Sequence, residues 1–199
     1  MDNTVKIITF YTVDTPYQEE VLQLQASCAK FGLPIEVEPI QSAGSWEKNV
    51  GLKPRFILEK WKTSSSPFLW VDADAMFLQE PDFTPFLEVD FGVRFMELFQ
   101  ENPAHAVNTA TIFVNKTEAA GKLLEKWVKR ADELSKKEEP PRCIDQISLY
   151  EVLIANTKAR VLPLPVSYCK IFDMDTFFID DDKVIIEQRQ ASRVYKELV

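Results

Sequence analysis

Residues 68–77 read Phe68-Leu69-Trp70-Val71-Asp72-Ala73-Asp74-Ala75-Met76-Phe77. Four apolar residues lead into an Asp-x-Asp pair, and the chain turns apolar again behind it. The pattern places two carboxylates at the tip of a buried strand. Desolvating two unpaired charges there is unfavourable, and a divalent cation relieves the cost. Residues i and i+2 of a strand face one side, so Asp72 and Asp74 are predicted to converge on one ion. Carboxylate oxygens are hard ligands suited to Mg2+ or Mn2+, and such sites typically share the ion with substrate phosphates. The alternative is a strand end whose acids face water. The apolar lead-in weighs against it.

Upstream of this stretch, Val5 to Thr12 is a β-branched and aromatic run that predicts a first strand. Thr15-Pro16-Tyr17-Gln18 reads as a helix start, with Thr15 as N-cap and Pro16 at the first helical position. Gly32 is the expected stop. Ile35 to Ile40 predicts a second strand, Gln41 to Leu52 a loop, and Lys53 to Lys62 a helix that Ser64-Ser65-Ser66-Pro67 ends. Downstream, strands are expected at Phe91–Phe95 and Ala110–Val114, then a helix over Thr117–Leu134. After a charged loop at Lys136–Pro141, Asp145 is placed to cap a helix running to Ala155. Arg160–Leu162 and Lys183–Glu187 are candidate late strands. Alternating strands and helices predict an α/β fold: one domain over residues 1–199, a mostly parallel central sheet, helices on both faces. Ligands of such sheets bind beyond the carboxyl ends of the strands, where Thr12, Asp72 and Asp74 all fall.

The 199 residues suit one domain with a sizeable core, and their net charge of −8 argues against nucleic acid or an anionic membrane surface as partner. Cys28, Cys143 and Cys169 are odd in number and widely spaced, with no CxxC, which favours a reducing compartment. Met1-Asp2-Asn3-Thr4 carries neither a basic n-region nor a signal-type apolar run, and no apolar stretch approaches a membrane span. The expectation is a cytoplasmic protein with no transmembrane segment.

A metal on an Asp-x-Asp pair suits a diphosphate leaving group, whose growing negative charge it offsets. A nucleotide-sugar donor also needs a surface for base and ribose. Tyr17 and Thr12 lie beside the first strand end and offer a ring and a hydroxyl. Taken alone, Tyr17 reads equally well as a half-buried helix-start residue. Lys53 is a candidate diphosphate contact, although a lone helix-start lysine is more often solvated. His105, the sole histidine, sits in a Pro-containing loop and reads as surface.

Several pieces in order resemble the GT-A fold nucleotide-diphospho-sugar glycosyltransferases, and within them the small bacterial group of glycogenin-like organisation. The pieces are Phe10-Tyr11-Thr12, Thr15-Pro16-Tyr17, Gly44-Ser45-Trp46 with Asn49, Lys53-Pro54-Arg55-Phe56-Ile57, the Asp72-Ala73-Asp74 segment, and Asn108-Thr109. Later come Asp145-Gln146, Leu162-Pro163, Tyr168-Cys169, Phe172-Asp173 and Gln190-Ala191-Ser192-Arg193. The resemblance implies a GT-A type domain and a metal-dependent transferase using Mn2+ or Mg2+. The donor it implies is a nucleotide-diphosphate sugar, UDP-linked in the expected case, and the acceptor stays unnamed. It further implies nucleotide contacts at Thr12, Tyr17, Lys53 and Asp72, and metal ligation by Asp72 and Asp74. Asn108 and Thr109 would line the donor-sugar pocket, and Asp145 and Gln146 would face the reacting sugar as catalytic residues. Gln188 stands where relatives often carry a metal-binding histidine, and Asn108-Thr109-Ala110-Thr111 replaces their Asn-Ser-Gly-Thr segment. These departures keep open a nucleotide-sugar-binding or regulatory protein of the same fold. A phosphohydrolase of the haloacid-dehalogenase type also places Asp-x-Asp after an apolar strand. That pattern belongs on the first strand and wants Thr or Val at the position of Met76.

Overall fold

β1 (Lys6–Thr12) lies between β2 (Ile35–Ile40) and β3 (Phe68–Val71) and runs parallel to both. These three strands begin a six-stranded sheet in the computed structural model, which describes residues 4–96, 102–155 and 158–195. Beyond β3 come β6 (Val107–Val114), β5 (Phe91–Phe95) and β7 (Val161–Pro163), in the order β2-β1-β3-β6-β5-β7. β6 is antiparallel to both its neighbours, and β7 is parallel to β5. Five strands therefore point one way and β6 alone points back, which makes the sheet mostly parallel as expected. All eight residues of β6 are buried, the mark of a central strand covered on both faces.

Alternation along the strands splits the core in two. Ile8, Trp70 and Ile112 face α3 (Lys53–Thr63), α4 (Glu118–Ser135) and α5 (Ile144–Ile154), where they meet Ile57, Leu124, Trp127 and Leu149. Their neighbours Ile7, Leu69 and Phe113 face the other way, onto Val21, Leu24 and Cys28 of α1 (Tyr17–Lys30). A small second sheet completes that face: β4 (Ala75–Phe77), β9 (Ile186–Gln188) and β8 (Lys170–Ile171), in the order β4-β9-β8. The expected late strand at Lys183–Glu187 is thus shifted, because Lys183 lies in a 3-10 turn.

Local signals held in most places. Gly32 adopts φ +66° after α1, and the Gly32 and Leu33 amides donate to the Ala29 and Cys28 carbonyls. This is the glycine-ended helix stop the sequence predicts. Three readings change. Thr15 does not cap α1: its hydroxyl donates back to the Thr12 carbonyl at 2.7 Å, and the helix starts beyond it with no side-chain cap. The expected loop Gln41–Leu52 contains α2 (Trp46–Gly51), which Ser45 caps by accepting from the Lys48 amide at 3.3 Å. Asp145 is not an N-cap either. Cys143 holds that position, and Asp145 sits inside the first turn of α5. The amino-terminal residues 1–3 lie outside the described residues.

Topology builds the site. The carboxyl ends of β1 and β3 deliver Thr12 and Asp72 to one sheet edge. Because β6 is reversed, its amino end reaches the same edge, and the Asp72 amide donates to the Ala110 carbonyl at 2.9 Å. Asn108 and Thr109 are brought beside the Asp-x-Asp pair in this way.

Candidate active site

The strand ends at Val71, so Asp72 and Asp74 occupy the turn into β4 rather than alternate positions of a strand. Both nevertheless line one cavity, of about 100 Å3, together with Thr12, Tyr17, Trp46 and Lys53. A second compartment of about 370 Å3 adjoins it, walled by Asn108, Thr109, Asp145 and Gln146. Trp46, Lys53, Asp72, Gln190 and Ser192 face both. The two spaces are one site with a narrow and a wide end. The site residues expected from the sequence are gathered there, with one exception.

The exception is Gln188. It is fully buried and lines neither compartment. Burial alternates along β9, so Gln188 shares the inward face of Ile186. Its Nε2 donates to Thr111 Oγ1 at 2.8 Å and to the Ala110 carbonyl at 3.3 Å, while Oε1 has no hydrogen-bond partner among the described residues. Gln188 thus braces β6 from below rather than reaching the cavity. The glutamine of this segment that faces the site is Gln190, held at φ +58°. That left-handed conformation is uncommon for a residue with a side chain, and such outliers concentrate at functional sites.

Lys53 organises the floor. Its Nζ lies 2.9 Å from Asp72 Oδ1 and 2.9 Å from Asp145 Oδ2. It also donates to Thr109 Oγ1 at 3.3 Å and the Thr109 carbonyl at 3.4 Å. Thr109 Oγ1 donates to Asp145 Oδ2 at 2.6 Å. Burial works against the Lys53 charge, but Asp145 and Asp72 more than offset it and hold the ammonium well above the ordinary lysine range. Asp145 is 4% exposed, and its Oδ2 is occupied by Lys53 and Thr109. It therefore fixes Lys53 and Thr109 in place rather than standing free as a base. Gln146, half-buried one residue on, lines the wide compartment.

Asp74 differs from Asp72. Trp70 Nε1 donates to Asp72 Oδ1 at 3.1 Å, and Lys53 compensates its charge. Asp74 is buried, its Oδ2 accepts from the Ala191 amide at 2.6 Å, and no ion pair compensates it among the described residues. Burial, with the Asp72 charge adding to it, pushes the Asp74 carboxyl up to about 6. The donor set fits a hard divalent cation, which would supply the missing positive charge. Among the described residues no group of three or more His, Cys, Asp or Glu gathers to hold a metal. The remaining ligands would therefore be oxygens of diphosphate or water, as is usual for Mg2+.

Tyr17 and Thr12 frame the narrow end. Thr12 Oγ1 lies 3.0 Å from Thr15 Oγ1. Burial drives the Tyr17 hydroxyl far up; Asp74 and Asp72 add to that, and a hydrogen bond with Trp46 opposes it. The phenol stays protonated, and its ring meets Tyr195 edge-on at 5.9 Å. Trp46 also lines the site, and the sequence marks it only as part of the Gly44-Ser45-Trp46 piece. The signal is Ser45, a cap residue directly ahead of Trp46, which opens α2 and is half-buried.

The profile of the nucleotide-diphospho-sugar transferase family matches residues 3–196, and the chain belongs to that family. No curated protein matches it. Its fold is similar to that of a glycosyltransferase involved in glycosylation of the major capsid of PBCV-1, with TM-score 0.68 and 15% identity over 94% of this chain and 92% of that one. It is also similar to the apo-form glycosyltransferase GlyE of Streptococcus pneumoniae TIGR4, with TM-score 0.60 and 13% identity. That match covers 94% of this chain and 54% of GlyE, so the chain spans about half of the longer protein. The protein is a glycosyltransferase of GT-A type, and the phosphohydrolase alternative falls away. No helix among the described residues is long and apolar enough to cross a membrane.

Proposed function

We propose that the chain transfers a sugar from a UDP-sugar donor to a hydroxyl acceptor and depends on Mn2+ or Mg2+ to do so. One observation carries the metal dependence: Asp74 is buried beside Asp72 without a compensating cation among the described residues, at the narrow end of a cavity that Lys53 also lines. When bound, the ion would supply Lewis-acid neutralisation of the charge developing on the diphosphate. Asp72 and Asp74 would hold it. Lys53 Nζ, already fixed by Asp145, would stay close to the diphosphate without reorganising. Asn108 and Thr109 would contact the donor sugar, and the Gln146 amide would face its reacting carbon. The three cysteines are free, in keeping with the cytoplasm as the proposed compartment.

Calorimetry of UDP binding with Mn2+, repeated with chelator, tests this reading. Ion-dependent binding is expected, and equal affinity in both conditions would sink it. In the same assay Tyr17→Ala and Trp46→Ala should each weaken nucleotide binding by about 1–3 kcal/mol, the loss typical of a base–aromatic contact. Unchanged affinity in both folded variants would move the base away from this end of the cavity.

A further inference from the structure

Among the described residues, φ is positive at Gly32 (+66°), Gly44 (+97°), Asp14 (+57°) and Gln190 (+58°). Glycine adopts this conformation without steric penalty, and the short polar side chain of aspartate eases it by bonding locally. Glutamine has neither advantage. Hydrogen bonds on both sides of Gln190 impose the conformation. Before it, the Arg189 amide donates to the Asp74 carbonyl at 3.3 Å; after it, the Ala191 amide donates to Asp74 Oδ2 at 2.6 Å. The Gln190 carbonyl accepts from the Arg193 amide at 3.0 Å. These bonds pin the turn to Asp74 whatever the side chain, so glycine would serve the backbone better. The Gln190 side chain is half-buried and lines both compartments, yet it makes no hydrogen bond among the described residues. Lys53 and Asp72, which also face both compartments, are bound to each other. The strained residue thus presents an unengaged amide at the place where the two spaces meet.

We infer that the Gln190 amide grips the joint between the sugar and the diphosphate of the donor, an assignment that rests on the donor reading above. Its Nε2 donates to a β-phosphate oxygen, and its Oε1 accepts from a sugar hydroxyl. Position and chemistry select this role. Asp74 lines only the narrow end, while Asn108, Thr109 and Gln146 line only the wide compartment. A donor laid through both spaces passes Gln190 where its charged part gives way to its neutral part. An amide offers two N–H donors and an uncharged acceptor on one plane, which suits a phosphate oxygen on one side and a hydroxyl on the other. A lysine there could only donate; a carboxylate could only accept, and it would repel the diphosphate. The pinned backbone also limits the freedom this side chain loses on binding.

Calorimetry with Mn2+ tests this on wild type, Gln190→Ala and Gln190→Gly. The probes are UMP, UDP and the tightest-binding of UDP-glucose, UDP-galactose and UDP-xylose. UMP lacks both contacts, UDP keeps one, and the sugar nucleotide has both. The loss of affinity in either variant should therefore climb, from none for UMP, through a few-fold for UDP, to about tenfold for the UDP-sugar. Urea unfolding in chelator adds a readout that needs no ligand. Gln190→Gly should have a higher midpoint than wild type and Gln190→Ala, because it alone relieves the left-handed residue. Equal losses for all three ligands would mean that the substitutions damage the ion site, and losses no larger for the UDP-sugar than for UDP would take the sugar out of the contact. Either result overturns the assignment, as does a glycine variant no more stable than the alanine one. A wild type that binds neither UDP nor any of the UDP-sugars overturns the donor reading and the assignment together. UDP-sugar binding indifferent to both substitutions overturns the assignment alone.

Discussion

Asp74→Asn is expected to stabilise the ion-free protein at pH 8 by about 2–3 kcal/mol while abolishing ion-dependent nucleotide binding. The folded-state pKa of Asp74 is raised from 3.8 to about 6, chiefly by burial and further by Asp72. Between those values the folded protein holds a proton that the unfolded chain has released. Stability of the ion-free protein therefore falls as pH rises through this window, and the full penalty stands above about 6. Asparagine carries no charge to desolvate and keeps an oxygen for the Ala191 amide. The gain should shrink as pH falls below 6 and vanish near 3.8. Urea unfolding of both proteins in chelator across this range measures it. A variant no more stable than wild type at pH 8, or one that retains Mn2+-dependent UDP binding, contradicts the proposed role. For the wild type the same linkage predicts that ion binding weakens below pH 6, as protons compete for the carboxylate.

Lys53→Met should destabilise the protein by about 3–5 kcal/mol, because it strands Asp145 as a buried charge without its cation. Asp72 loses the same partner at less cost, since its side chain is 34% exposed and water can reach it, whereas that of Asp145 is 5% exposed. Adding Asp145→Leu to Lys53→Met removes the stranded charge and should recover most of the loss. The double variant separates a stability role from a binding one: it should fold well yet bind UDP poorly, because the ammonium beside the diphosphate is gone. Denaturant midpoints of the two variants decide the first point and calorimetry the second. A single variant within 1 kcal/mol of wild type, roughly the value of an exposed pair, would mean the network does not hold Lys53 as its geometry implies.

Gln188 and Gln190 illustrate the boundary between local and tertiary information. Two residues apart in sequence, they end on different sides of the cavity wall. β9 pairs with β4 so that Ala75 meets Gln188, and in that register Gln188 turns inward with Ile186. A register slip of one residue would reverse every facing. The left-handed turn at Gln190 then swings the chain back to the site. Neither the register nor the turn is written in the period of the residues themselves.

Features that depend on neighbours in the chain are readable from the residues alone. β1, β3, α1 and α4 were legible because apolar period, a proline at a helix start and a glycine stop act within a few residues. The Asp72-Ala73-Asp74 pair was legible as a site because acids ending a fully buried strand conflict with their surroundings. Tertiary structure alone decided the rest. The reversal of β6 brings Asn108 and Thr109 to the edge where β1 and β3 end, and pairing direction is set by strands remote in sequence. Asp145 reads locally as a helix cap, but a lysine 92 positions earlier claims its carboxylate, because burial makes an unpaired charge there far more costly than an uncapped helix.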